Sequence, residues 1–187
     1  MKTKIYILST AFILLSCISY GQKKSKKDNN ILIDTFVLKG KVHEVDMFED
    51  IAKDAPEVHV IVYQEKEIFV AFFTQKDGTY EFHLPYGHQY EIWYGGGAFV
   101  NKKVAVDTKK LIPGKQEMPL QMDIGLFRPM DGYEFTILDE PYVNVNFDEA
   151  TKTLVPDLEF TEIKADELSK QFRKIKKEQG KKPKTNL

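Results

Sequence analysis

Four histidines, one cysteine and a surplus of carboxylates are the side chains of this sequence that could do chemistry. His88-Gln89-Tyr90-Glu91 has the H-x-x-E spacing of a zinc-binding pair, but such a site needs a third protein ligand downstream, and no histidine follows His88. His59 and His83 can face each other across outward strand positions; two histidines make no complete metal site, and exposed strand residues are the ordinary explanation. Asp46, Glu49, Asp50 and Asp54 invite a Ca²⁺ reading, yet their spacing is not that of an EF-hand and the central glycine is missing, which leaves a solvated acidic loop. No G-x-S-x-G occurs, and Asp139-Glu140 and Asp148-Glu149 do not stand out as acid/base pairs in so acidic a body. Nucleophile, base and orienting group never come together, so the expectation is a protein without catalytic residues, metal ligands or cofactor.

The elements that would position any site are strands. From Val58 to Val106 short runs of β-branched and aromatic residues are broken by turn residues. Val58, Val60 and Val62 alternate onto one face, as do Tyr80, Phe82 and Leu84, with His59, Glu81 and His83 on the other. That is the pattern of a half-buried antiparallel sheet. Asp77-Gly78 predicts a tight hairpin turn between two of these runs, and Pro85-Tyr86-Gly87 marks the next turn. If the even-numbered valines point inward, Ile61, Tyr63 and Trp93 point outward; exposed aromatics on a sheet face mark a ligand platform or a surface covered by another segment. Gly95-Gly96-Gly97 permits a bend, and no helical pattern follows it to make a phosphate cradle.

Before this sheet, Ile31 to Val45 reads as a first strand or strand pair, with Phe36, Leu38 and Val42 apolar and Gly40 a bulge or close-approach site. After it, Leu120 to Phe127 alternates as another strand, and the FTIL and YVNVNF segments look like an added hairpin or edge strands. Thr161 to Gln179 is the persuasive helix: Ala165, Leu168, Phe172 and Ile175 form one narrow apolar stripe, with Thr161 or Asp157 as cap. Its opposite face, with Lys170, Arg173, Lys174 and Lys177, is basic. Such a helix either docks its stripe on the domain or meets an anionic membrane surface or a partner.

Charge is unevenly spread over the 187 residues. Residues 164–187 hold nine Lys/Arg against three acids, whereas residues 28–163 hold 12 against 25, a net of −13. An acidic body argues against nucleic acid, whose phosphates need a basic face. Residues 1–21 read as an export signal: Lys2 and Lys4, an apolar run from Ile5 to Leu15, then Ser19-Tyr20-Gly21 before Gln22. Cys17, after Leu14-Leu15-Ser16, either leaves with the signal or becomes the lipidated N-terminus of a lipoprotein. Residues 22–30 read as a flexible leader, 31–110 as the sandwich, 111–160 as a β extension, 161–180 as the basic helix and 181–187 as a disordered tail.

The order G-K-V, V-x-V-x-V-Y, D-G-x-Y-x-F-x-L-P-x-G-x-x-Y and K-K-V-x-V-D-T between Phe36 and Thr108 resembles the carboxypeptidase regulatory-like domain. Asp77-Gly78, Tyr80, Phe82, Leu84-Pro85, Gly87 and Tyr90 are its most diagnostic positions, and the continuation through Asp123–Phe127 looks like small exported proteins of Bacteroidota that carry this domain. The resemblance implies a mainly β, transthyretin-like or immunoglobulin-like antiparallel β-sandwich, here with a C-terminal amphipathic helix, and a module that is the non-catalytic companion in metallocarboxypeptidases. The related transthyretin-like hydrolases end in Tyr-Arg-Gly-Ser, which this chain lacks, so that activity is not implied. Related sandwiches bind glycans, which makes Tyr63, Trp93 and Tyr94 the stacking candidates. The resulting expectation is a structural or protein-interaction module of the periplasm or outer-membrane envelope. Its partner would be an envelope protein or a glycan, with peripheral membrane contact available through the basic helix.

Overall fold

A computed structural model of the chain describes residues 35–48, 51–55, 57–112 and 119–180, all of which fall in the unit Leu32–Leu187. The expected export signal, flexible leader, lipidation site and disordered tail lie outside these residues, as do Glu49 and Asp50 of the acidic loop. The fold is mainly β: two packed sheets and one C-terminal helix.

In chain order the strands are β1 (Thr35–Asp46), β2 (Ile51–Asp54), β3 (His59–Gln64), β4 (Glu67–Phe73), β5 (Thr79–Pro85), β6 (Gln89–Gly96), β7 (Phe99–Asp107), β8 (Leu120–Gln121), β9 (Ile124–Leu126), β10 (Val143–Asp148) and β11 (Thr153–Pro156). The helix α1 spans Leu158–Gln179. β1 is the hub of the first sheet. It runs antiparallel to β5 through Thr35–Lys41 and to β2 through His43–Asp46, and parallel to β8 and β9. The second sheet has the order β11-β10-β7-β6-β3-β4.

Alternation builds the core between the sheets. Phe36, Leu38, Val42, Phe82 and Leu84 meet Val60, Val62, Ile92, Tyr94, Val104 and Val106, all buried. Burying each large apolar side chain contributes about 1.5–3 kcal/mol against exposure, which makes the inward parity decisive for register. Polar atoms in this core are satisfied locally. The Tyr80 hydroxyl donates to the Met122 carbonyl at 2.6 Å, the Tyr94 hydroxyl donates to Tyr80 at 3.3 Å, and Thr74 Oγ1 accepts from the Val58 amide at 3.0 Å. Gly40 is a close-approach site, since a Cβ there would lie 1.8 Å from the Met122 carbonyl oxygen.

Several expected elements differ. Asp77-Gly78 does not close a hairpin: β4 and β5 belong to different sheets, and the turn carries the chain from one to the other. The hairpin is β3–β4, where Glu65 and Lys66 both take positive φ (50° and 76°) without glycine or asparagine to signal it. Part of the acidic loop is the strand β2. FTIL forms a 3₁₀ turn over Thr136–Leu138, not a strand. YVNVNF supplies β10, which pairs parallel with β7 and antiparallel with β11. The expected boundary at residue 110 separates no two bodies, because β8 and β9 complete the first sheet and β10 and β11 the second.

The helix begins one turn earlier than its apolar stripe indicates. Asp157 is the cap and accepts from the Phe160 amide at 3.0 Å. Leu168, Phe172 and Ile175 bury the stripe in a second cluster with Phe127, Phe135 and Leu138. Phe172 meets Phe127 edge-on at 4.9 Å and Phe48 at 6.1 Å. Lys170, Arg173, Lys174 and Lys177 remain exposed on the far side, with Lys170 and Arg173 both reaching Asp166.

Candidate functional site

The outer face of the second sheet brings together two of the three stacking candidates. Outward parity puts Tyr63 on β3 and Trp93 on β6, where β3–β6 pairing sets Ile61 opposite Trp93 and Tyr63 opposite Glu91. The two rings are therefore diagonal neighbours, with centroids 5.0 Å apart and planes at 50°. Both are partly exposed. Tyr94 is not on this face: the parity that turns Trp93 outward turns Tyr94 inward, where it is 0% exposed and bonded to Tyr80. It is a core residue and is removed from the candidates.

An open groove of ≈ 440 Å³ lies beside the pair, between Tyr63 and Trp93, the Glu65-Lys66 turn and the start of β6 at Gln89 and Glu91. Its floor includes Tyr90, whose hydroxyl donates to the Pro85 carbonyl at 2.8 Å; burial first, and Glu65 second, push its pKa up to about 12. The Trp93 indole N–H donates to the Glu91 carboxylate. Lys103 on β7 lies over the Trp93 ring at 4.4 Å and donates to the Asp139 carbonyl. The C-terminal extension thus borders Trp93 on its β7 side, through Leu138 and Asp139, the latter joined to Lys103. Among the described residues it does not line the groove. The helix docks on the second cluster, to which neither Tyr63 nor Trp93 belongs.

The histidines do not converge. His59 stacks on Phe73 at 4.9 Å, whereas His83 stands on β5 opposite Val37. The two are on different sheets, which excludes their facing each other. His88 Nδ1 is 3.1 Å from Gln64 Nε2 and 3.6 Å from a Glu65 carboxylate oxygen, while Glu91 of the H-x-x-E spacing serves Trp93. Among the described residues no three His, Cys, Asp or Glu side chains are placed to hold a metal ion.

Three of the carboxylates that composition left undistinguished, Glu140, Asp148 and Glu149, have structural partners. Asp148 caps its own turn by accepting from Ala150, Thr151 and the Thr151 hydroxyl, which lowers its pKa, the hydroxyl most. Glu149 bridges Lys110 and Lys152, Glu140 pairs with Lys164, and Asp54 meets Lys41 at 2.8 Å. Glu44, a residue that sequence reasoning passed over, accepts both arms of the Arg128 guanidinium at 2.8 and 3.0 Å and the Lys53 ammonium at 3.2 Å. The Arg128 hydrogen bonds hold its carboxyl below the usual range.

Lys102 was also missed. Its parity is that of Val100 and Val104, so its stem enters the region between β7 and the second cluster. The ammonium sits 4.6 Å from the Tyr142 ring centroid and 6.0 Å from that of Phe127, and burial lowers its pKa to about 8. The signal was present in the sequence as a lysine on an apolar parity.

No family model matches the chain, and no curated protein matches it. Among solved structures, a minor pilin of the Gram-positive pathogen Streptococcus agalactiae shares 12% identity at a TM-score of 0.38, over 56% of this chain and 49% of the pilin. The Bacillus anthracis TIE protein shares 18% identity at a TM-score of 0.36, over 50% of this chain and 17% of its own. The chain thus spans about half the length of the first and about a sixth of the second. At these scores the likeness carries no argument about function.

Proposed function

We propose that this chain is a non-enzymatic interaction module of the bacterial cell envelope, exported by residues 1–21 and built on a carboxypeptidase regulatory-like sandwich. The observation that carries the reading is the partly exposed aromatic pair Tyr63–Trp93 beside its groove. His59, His88 and the carboxylates of Glu140, Asp148 and Glu149, by contrast, are engaged in caps, stacks and ion pairs. A partly exposed aromatic pair with charged groups at its rim, Glu65, Lys66 and Glu91, has the make-up of a protein-contact centre. The exposed basic face of α1 supplies a second, electrostatic contact for an acidic partner or an anionic membrane surface.

The test is affinity capture from envelope extract of the host, using the chain without its first 21 residues as bait. Trp93→Ala and a bait lacking residues 160–187 are run beside it. A defined envelope protein captured by the wild type and lost with Trp93→Ala supports the reading. Capture that survives Trp93→Ala and fails without the tail moves the contact to α1.

The same groove supports a second reading, a carbohydrate-binding module, because a sugar ring stacks on an aromatic face while carboxylates at the rim accept its hydroxyls. Trp93 is the one tryptophan of the chain and reports on its own surroundings. Saturable quenching of its fluorescence by a soluble glycan, absent in Tyr63→Ala, would favour this reading over the first.

A further inference from the structure

We propose that β4 is a dimerisation edge: two copies of this chain pair antiparallel along Val70–Phe73 about a two-fold axis and join their second sheets into one.

β4 ends the strand order of that sheet, with β3 on one side and no described strand on the other. Which main-chain groups are left over follows from one bond. The Thr74 amide donates to the Val58 carbonyl at 2.9 Å, so alternation along an antiparallel pair turns the groups of Phe72 and Val70 toward β3 and those of Ala71 and Phe73 away from it. The free edge therefore presents N–H and C=O groups in strand geometry, which a further strand satisfies.

The side chains along it are those of an unfinished core. Ile68 is 62% exposed, Phe69 43% and Phe73 65%, and no residue from Ile68 to Phe73 carries charge. Edges that remain in solvent are usually short, charged or interrupted by proline. The other edges here follow that rule. β11 is four residues long and ends at Pro156, β2 carries Lys53 and Asp54, and β5 turns Glu81 and His83 outward. β4 has no charge and no proline within Ile68–Phe73; its one interruption is the β-bulge at Phe69, beyond which Val70–Phe73 runs in regular register.

The occupant is a second copy because the edge complements itself. A two-fold axis through Ala71 sets Val70 opposite Phe72; an axis through Phe72 sets Ala71 opposite Phe73. Either arrangement pairs residues of the same facing and brings no charge against another along Val70–Thr74. The chain's own segment 22–30, with four lysines, offers no apolar match. The proposal stands independently of the envelope reading.

Sedimentation velocity of the chain without residues 1–21, over a wide micromolar range, tests it. The wild type is expected to pass from monomer to dimer with rising concentration. Ala71→Lys and Phe73→Lys, each checked for a native circular dichroism spectrum and cooperative melting, are expected to weaken the dimer at least tenfold. Val155→Lys on the opposite edge leaves it unchanged. Hydrogen exchange supplies a readout in the unmodified protein, with Ala71 and Phe73 amides gaining protection with concentration and Phe72 protected throughout. A wild type that stays monomeric at every concentration overturns the proposal, as does a dimer that survives both lysine variants.

Discussion

The α-carbon of Gly40 lies against the carbonyl of Met122, so closely that a methyl group there would fall 1.8 Å from the oxygen and 2.6 Å from the carbon. That same oxygen receives the Tyr80 hydroxyl, which fixes it in place. Gly40→Ala is therefore expected to destabilise the chain by about 3 kcal/mol, since the obstacle is backbone held from two sides rather than a yielding side chain. Urea unfolding at constant m-value measures this, and a change under about 1 kcal/mol would show that the β1–β8 crossing relaxes freely.

Lys102 makes stability depend on alkaline pH. Below about pH 8 the ammonium is charged in both folded and unfolded chains, and the folded state carries the full burial cost. Between about 8 and the ordinary 10.5 the folded chain has released a proton that the unfolded chain still holds, so stability rises with pH, by about 1–3 kcal/mol in all. Beyond the ordinary tyrosine value of 10.0 the sign reverses, because burial raises the values of Tyr80, Tyr90 and Tyr94 and only the unfolded chain ionises there. Denaturation midpoints across this range should pass through a maximum, and Lys102→Met should be more stable at neutral pH and lose the rising limb.

Glu44 acts on the acid side. Its folded-state carboxyl is held low, chiefly by Arg128 and then by Lys53. The contribution is thus present above its ordinary value of 4.5 and disappears as pH falls through the depressed folded value. Glu44→Gln should lower the midpoint at pH 7 and converge with the wild type on acidification; parallel curves at all pH values would show that the ion pairs contribute nothing.

Phe172 is the ring on which the helix turns, touching Phe48, Phe127 and Phe135. Truncation to alanine is expected to cost about 3–5 kcal/mol at that site. Hydrogen exchange should show protection lost over Leu158–Gln179 while the β3, β6 and β7 amides keep theirs, because the second cluster is distinct from the sandwich core.

Much of the sandwich was legible because period-two alternation is a local property: Val60 and Val62, Phe82 and Leu84, Val104 and Val106 declare their inward face without reference to any partner. Strand partnership is not local. Asp77-Gly78 has the chemistry of a hairpin turn and yet spans two sheets, since its dihedral angles suit either connection, whereas Glu65-Lys66 makes the real hairpin with residues that usually avoid positive φ. Of the aromatic candidates, parity separates Trp93 from Tyr94 unambiguously. The Glu44–Arg128 pair is 84 residues apart in sequence, a distance over which no motif speaks.

The connectivity around β1 also sets the order of assembly. Its antiparallel neighbour β2 follows at once, but the other, β5, begins only at Thr79, and its parallel neighbours end at Leu126. The second sheet gains its last strands still later, at Val143–Pro156. A growing or threading chain therefore holds β1 half-dressed until most of its length has emerged. Folding of this protein is expected to be a late, slow event governed by loop closure.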